Sequence, residues 1–154
     1  MLKTLREQLA DRNLQIIVRG ITSIEDALTA AEQGASAIWI TEKAHLQSAA
    51  TPISILHNIA LTLANLHPNC SVFMQGGIRR GTDVLKAVAM GAKAVFLDID
   101  TVMWGLVRDG NSQGLVDLLT MLNEELKLSM VLTHSADIAS IKAERVIEWV
   151  QAKP

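Results

Sequence analysis

An α/β fold built on a parallel sheet is what this sequence predicts, and three observations predict it. Short apolar runs alternate four times with longer stretches of helical periodicity. Those runs are continuously apolar, as strands covered on both faces are, instead of alternating apolar with polar. Glycine, proline and Ser/Thr/Asp signals punctuate the joins where helices start and stop. Four consecutive βα units imply a parallel sheet buried on both faces, within one domain spanning 1–154.

The elements follow in order. LQIIV at 14–18 predicts the first strand, with Arg19-Gly20 as the turn after it. Thr22 and Ser23 can cap the next helix, Glu25 and Asp26 favour its positive N-terminal end, and Gly34 ends it. SAIWI at 36–40 is the second strand, and 41–51 is a polar loop. Pro52 opens a helix to about Leu66, because a first helical turn has no use for the missing N–H. CSVFM at 70–74 is the third strand, 83–90 the helix after it, and AVFLD at 94–98 the fourth strand. Further helices are predicted near 101–109, 114–132 and 142–152.

Composition narrows the class. Of 154 residues 49% are hydrophobic, which is enough to fill a core, and the net charge of -2 carries no basic block to attract nucleic acid. One cysteine, Cys70, allows no intrachain disulfide, which suits a reducing compartment. No apolar run approaches the roughly 18 residues of a membrane span, so a cytoplasmic location is expected. Trp39, Trp104 and Trp149 are too scattered for a stacking platform and read as core or interface residues. Met90, Met103, Met121 and Met130 read as packing, and Glu124 with Lys127 as an exposed helical charge pair. No Cys/His cluster has metal-site spacing, so no metal site is predicted.

One stretch points to chemistry. QGGIRRGTDV, 75–84, joins the third strand to a helix through two glycines, two arginines and a third glycine. Glycines admit an anion close to the backbone, and a helix start adds a favourable dipole. The same residues also suit a plain tight βα turn with Arg79 and Arg80 in water. Both readings stand at this point.

The segment VFMQGGIRRGTDVLKAVAMGAKAVFLD, 72–98, resembles the FMN-dependent 2-hydroxy-acid oxidases, the glycolate and lactate oxidase family. The likeness extends through 16–40 and 101–133 and is most specific over 76–93. It implies the C-terminal half of a TIM barrel, four βα units followed by extra helices, with FMN and substrate at the C-terminal ends of the strands. Half a barrel leaves two open strand edges and an apolar inner wall. A second copy of the chain is the first expectation for what covers them, with a partner supplying the other half or a rearranged sheet as the alternatives.

Position by position, the resemblance implies the following. Arg19 stands where the family has a lysine beside the flavin ring; an arginine at a strand end making surface or loop contacts is the competing reading. Lys43 falls on the family's catalytic histidine and Leu46 on the arginine that pairs with the substrate carboxylate. Leucine binds no carboxylate, and an unperturbed lysine is protonated at neutral pH, so no catalytic residue is predicted; His45 reads as a loop histidine. Gln75 replaces an aspartate at the ribityl chain, while Gly76, Gly77 and Arg79 match the phosphate loop. Asp98-Ile99-Asp100 replaces a Gly-Arg-Pro that completes the phosphate cradle. Carboxylates there oppose a dianion, so poor retention of FMN is expected; the competing reading is that Asp98 or Asp100 caps the following helix.

Many members carry a peroxisomal address, and QAKP is not of the SKL type. The expected function is a catalytically silent family member acting as an interaction or structural module. The alternatives are an FMN-binding oxidoreductase of 2-hydroxy acids, completed by self-association or a partner, and a site for another phosphorylated ligand.

Overall fold

The computed structural model describes residues 2–9, 14–41 and 51–144. Its elements are α1 (Leu2–Leu9), β1 (Ile17–Ile21), α2 (Ile24–Glu32), β2 (Ala37–Ile40), α3 (Pro52–Leu66), β3 (Ser71–Gln75), α4 (Gly81–Ala89), β4 (Ala94–Phe96), α5 (Ile99–Asp109) and α6 (Ser112–Leu132), with a short 3-10 turn at Ile138–Ser140. The four strands form one parallel sheet in the order β1-β2-β3-β4. Sequential order and parallel direction require each connection to cross over, and α2, α3 and α4 supply those crossovers.

Local signals place these elements. The Ser23 hydroxyl accepts the Asp26 amide at 3.1 Å, capping α2. Pro52 occupies the first turn of α3, and Gly34 follows the end of α2 in a left-handed conformation. Strand alternation sends Ile38, Ile40, Val72 and Met74 to the face covered by helices, where they join Leu56, Ile59 and Leu63 in the core.

The structure corrects several expectations. The first strand runs from Ile17 to Ile21, so Arg19 and Gly20 lie inside it. Leu14 is exposed, and the strand starts after the apolar run does, because an apolar side chain does not by itself pair a backbone. Gly20, at φ 94°, carries an irregularity between Arg19 and Ile21, the bulge that a glycine inside a strand often marks. The sheet is not buried alike on both faces: Trp39, Phe73 and Phe96 sit half-buried on the side opposite the core. The fourth strand ends at Phe96, and α4, α5 and α6 each start two residues early. Trp104 is 81% exposed, and Met103 and Met121 are exposed as well, so none of these three is a core residue. Met90 packs against the core as expected. Lys127 donates to Glu124 at 2.9 Å, also as expected. Of the helix anticipated at 142–152, residues 145–152 lie outside the described residues, as does Trp149.

Candidate functional site

At the C-terminal end of β3 the chain turns through Gly76 and Gly77, both at positive φ (110° and 73°), and enters α4 at Gly81. Such a turn aims successive backbone N–H groups outward, as an anion-binding nest does. In this protein those donors already have acceptors. Gly77 donates its N–H to Asp98 Oδ2 at 3.3 Å. Arg79 and Arg80 donate theirs to Asp83 Oδ2 at 3.2 and 3.0 Å, and Gly81 donates to Glu125 Oε2 at 2.8 Å. Three carboxylates of the chain therefore take four loop amides.

Each carboxylate arrives by a different route. Asp83 is the third residue of α4, where an acidic side chain can reach back to the amides before the helix. Asp98 occupies the N-cap position of α5, but its side chain makes no cap hydrogen bond, so it does not cap the helix as the sequence led one to expect. It spans to Gly77 instead. Glu125 comes from the middle of α6, where α4 and α6 approach so closely that a Cβ on Gly81 would meet the Leu126 amide, the Leu122 carbonyl and the Glu125 side chain. The Thr101 hydroxyl donates to the Ile78 carbonyl at 3.2 Å and ties α5 to the same loop.

Arg19 and Gln75 are brought together. Arg19 Nη2 donates to Gln75 Oε1 at 3.2 Å, and the guanidinium lies 5.2 Å from the centre of the Trp39 ring. Trp39 stacks on Phe96 at 4.1 Å, and Phe96 meets Phe73 edge-on at 6.0 Å. A planar cation over an indole is a favourable pairing, so the exposed Arg19 lies along the sheet against Trp39 and Gln75. Trp39 Nε1 is buried with no acceptor among the described residues. Arg79 is exposed, and its guanidinium makes no hydrogen bond or ion pair among the described residues. It lines a hollow of ≈ 530 Å³ with Asp100, Thr101, Trp104, Leu118 and Met121. Lys43, His45 and Leu46 lie outside the described residues. Among the described residues no group of three His, Cys, Asp or Glu is placed to hold a metal, and no helix is long and apolar enough to cross a membrane.

Comparison with known proteins identifies this architecture. Residues 1–148 match the family described as FMN-dependent dehydrogenase. The chain belongs to the FMN-dependent dehydrogenase family. It is 37% identical over 137 residues to glycolate oxidase 3 of Oryza sativa subsp. indica, covering 88% of this chain and 36% of that protein. It is 36% identical over 131 residues to human 2-hydroxyacid oxidase 1, covering 84% of this chain and 34% of that protein. Among solved structures, the flavin-binding domain of baker's yeast flavocytochrome b2 superimposes with a TM-score of 0.83 at 31% identity, over 94% of this chain and 37% of that one. A mandelate oxidase variant gives 0.77 at 32% identity, over 92% and 41%. The chain thus spans about a third of the length of the curated relatives it matches. Its four βα units have the fold of half a TIM barrel, as expected.

Membership in the FMN-dependent dehydrogenase family implies FMN. The loop as built does not fit the cofactor's phosphate. The amides at Gly77, Arg79, Arg80 and Gly81 are already held by carboxylates. A phosphate at Gly77 would have to displace the Asp98 oxygen and sit beside its charge. Arg79 favours an anion at the loop, through the fixed donor fork of its guanidinium.

Asp83 could have been found in the sequence, because an acidic residue three places into a helix after a loop is a recognised start signal. Glu125 carried no such signal. It lies 44 residues from the amide it accepts, in a helix whose charges pair locally.

Proposed function

We propose that this chain is a family member that does not oxidise 2-hydroxy acids and acts as an interaction or structural module. The observation that carries the proposal is the Asp98 carboxylate on the Gly77 amide, an internal anion in the loop that resembles the family's phosphate site. Lys43 and Leu46, where the resemblance implies a base and a carboxylate clamp, point the same way. A lysine at its ordinary pKa takes no proton from substrate at neutral pH, and leucine offers a carboxylate no charge.

A second reading is supported by Arg19 and Arg79. Both supply positive charge at the end of the strands where TIM-barrel sites are built. On that reading the chain binds FMN and oxidises 2-hydroxy acids once self-association or a partner completes the barrel.

The visible absorbance spectrum of the purified protein, incubated with FMN and freed of unbound flavin, separates the two. No retained flavin band is expected, and no oxygen uptake with glycolate, L-lactate or (S)-mandelate. Retention of one flavin per chain together with turnover of any of these acids would overturn the first reading.

A further inference from the structure

The hollow beside Arg79 follows from residue spacing on two helices. Asp100 and Trp104 stand four residues apart on α5 and so share one of its faces. Leu118 and Met121 stand three apart on α6 and share a face of that helix. The two helices close on one another at Gly105, where an added Cβ would stand 3.2 Å from Leu118 Cβ. Leu118 belongs both to that contact and to the wall of the hollow, so helix packing holds the apolar side in place. Arg79 completes the lining from the loop before α4.

Size and chemistry say what the hollow takes. Its ≈ 530 Å³ lies within the roughly 300–1,000 Å³ of small-molecule sites, which are mostly apolar with a few polar groups that fix orientation. Trp104 is 81% exposed and offers an open ring face, and the Met121 thioether favours an aromatic edge. Arg79 and Asp100 bring opposite charges to the same hollow, and among the described residues neither forms an ion pair. A ligand with only an anionic group would satisfy Arg79 and place like charge near Asp100. A phosphate ester does so with still more charge. A zwitterion satisfies both, its carboxylate on the guanidinium fork and its ammonium donating to Asp100.

We propose that this hollow binds a free aromatic α-amino acid, its carboxylate on Arg79, its ammonium on Asp100 and its side chain against Trp104, Leu118 and Met121. One carbon of such a ligand carries the ammonium, the carboxylate and the side chain, matching a hollow that brings together a cation, an anion and an apolar wall. Flavin retention and amino-acid binding are separate measurements, so this assignment and the silent-module reading can fail independently.

Proton–nitrogen correlation NMR of the isotope-labelled full chain, 16.7 kDa, titrated with L-phenylalanine tests it. A ligand of about twelve non-hydrogen atoms with ordinary efficiency binds with a Kd of about a millimolar. Saturable shifts are expected at Arg79 Nε and at the Trp104 indole N–H, which its loss in Trp104→Phe assigns. Phenethylamine lacks the carboxylate and N-acetyl-L-phenylalanine the ammonium, so each should bind about two- to fivefold more weakly, since exposed ion pairs are worth little. Arg79→Gln should weaken L-phenylalanine by the same factor and leave phenethylamine unchanged. Asp100→Asn should weaken L-phenylalanine and leave N-acetyl-L-phenylalanine no weaker than before. Both sites are exposed, so the fold should survive, which the rest of the spectrum reports. No saturable shift at Trp104 would overturn the proposal. Equal binding of the analogues, or indifference to both substitutions, would overturn it too, since neither charge would then be in contact with the ligand. FMN shifting Arg79 where L-phenylalanine does not would likewise overturn it, returning that arginine to a phosphate.

Discussion

Gly81→Ala is the sharpest test of how α4 meets α6. Gly81 has an ordinary negative φ, so alanine strains no backbone angle there, and the whole effect comes from space. The added methyl would meet the Leu126 amide, the Leu122 carbonyl and Glu125 Cβ, the last at 2.6 Å. Two of these are backbone atoms in the middle of a helix, which cannot swing aside as a side-chain tip can. α6 must retreat as a body. Overpacking of this kind costs about 1–3 kcal/mol, and retreat also stretches the Gly81 N–H bond to Glu125, a contact worth roughly 1.5–3 kcal/mol when the acceptor is charged. A loss of about 3 kcal/mol is therefore expected, or roughly 6–12 °C in Tm for a chain of this size.

Gly77→Ala is the control. Its Cβ would point into open space, so it bears only the penalty of a left-handed alanine, about 1–2 kcal/mol. Urea unfolding followed by tryptophan fluorescence gives both values from the midpoint at constant slope. A Gly81→Ala loss below about 0.5 kcal/mol would refute the close approach, because surface substitutions with no structural consequence fall in that range. So would a loss smaller than that of Gly77→Ala.

Two further outcomes follow from the structure. Trp39→Phe removes a buried indole N–H that has no acceptor among the described residues while keeping a ring to stack on Phe96, so urea unfolding should show a change within about 1 kcal/mol; a much larger loss would mean that Nε1 has a partner after all. Burial pushes the Cys70 thiol pKa up, so the fold favours the neutral thiol. The stability it contributes is present below the ordinary thiol pKa and lost as pH rises through the higher folded value, so Cys70→Ser should flatten the alkaline fall of the urea midpoint. Equal alkaline slopes in the two proteins would remove that reasoning.

Much of this architecture was legible because its signals are local. Pro52 marks the start of α3, Ser23 caps α2 and Gly34 follows its end, each acting within a few residues of its own position. Errors arose where tertiary context decides. Gly20 looks like a turn, yet its positive φ serves an irregularity inside a paired strand. Met103 reads as packing and Trp104 as core or interface, but α5 packs on α6 and leaves both side chains outside the core. At the loop, the sequence revealed glycines that suit an anion and aspartates that oppose one. It could not reveal which oxygen meets which amide. The Gly77–Asp98 contact spans 21 residues, and that between Gly81 and Glu125 spans 44.

Loop shape and loop occupancy are separable properties, and this chain separates them. The turn at Gly76 and Gly77 needs only residues that tolerate positive φ, and it persists whatever anion it faces. Of the amides it leads to, that of Gly81 is part-buried, and a donor left unmade away from water costs free energy. Asp83, Asp98 and Glu125 accept from the loop's amides and so tether it to α4, α5 and α6. Where the relatives' resemblance implies a cradle organised by a cofactor, the same backbone here is organised by its own helices. A loop held in this way can remain folded with no flavin bound.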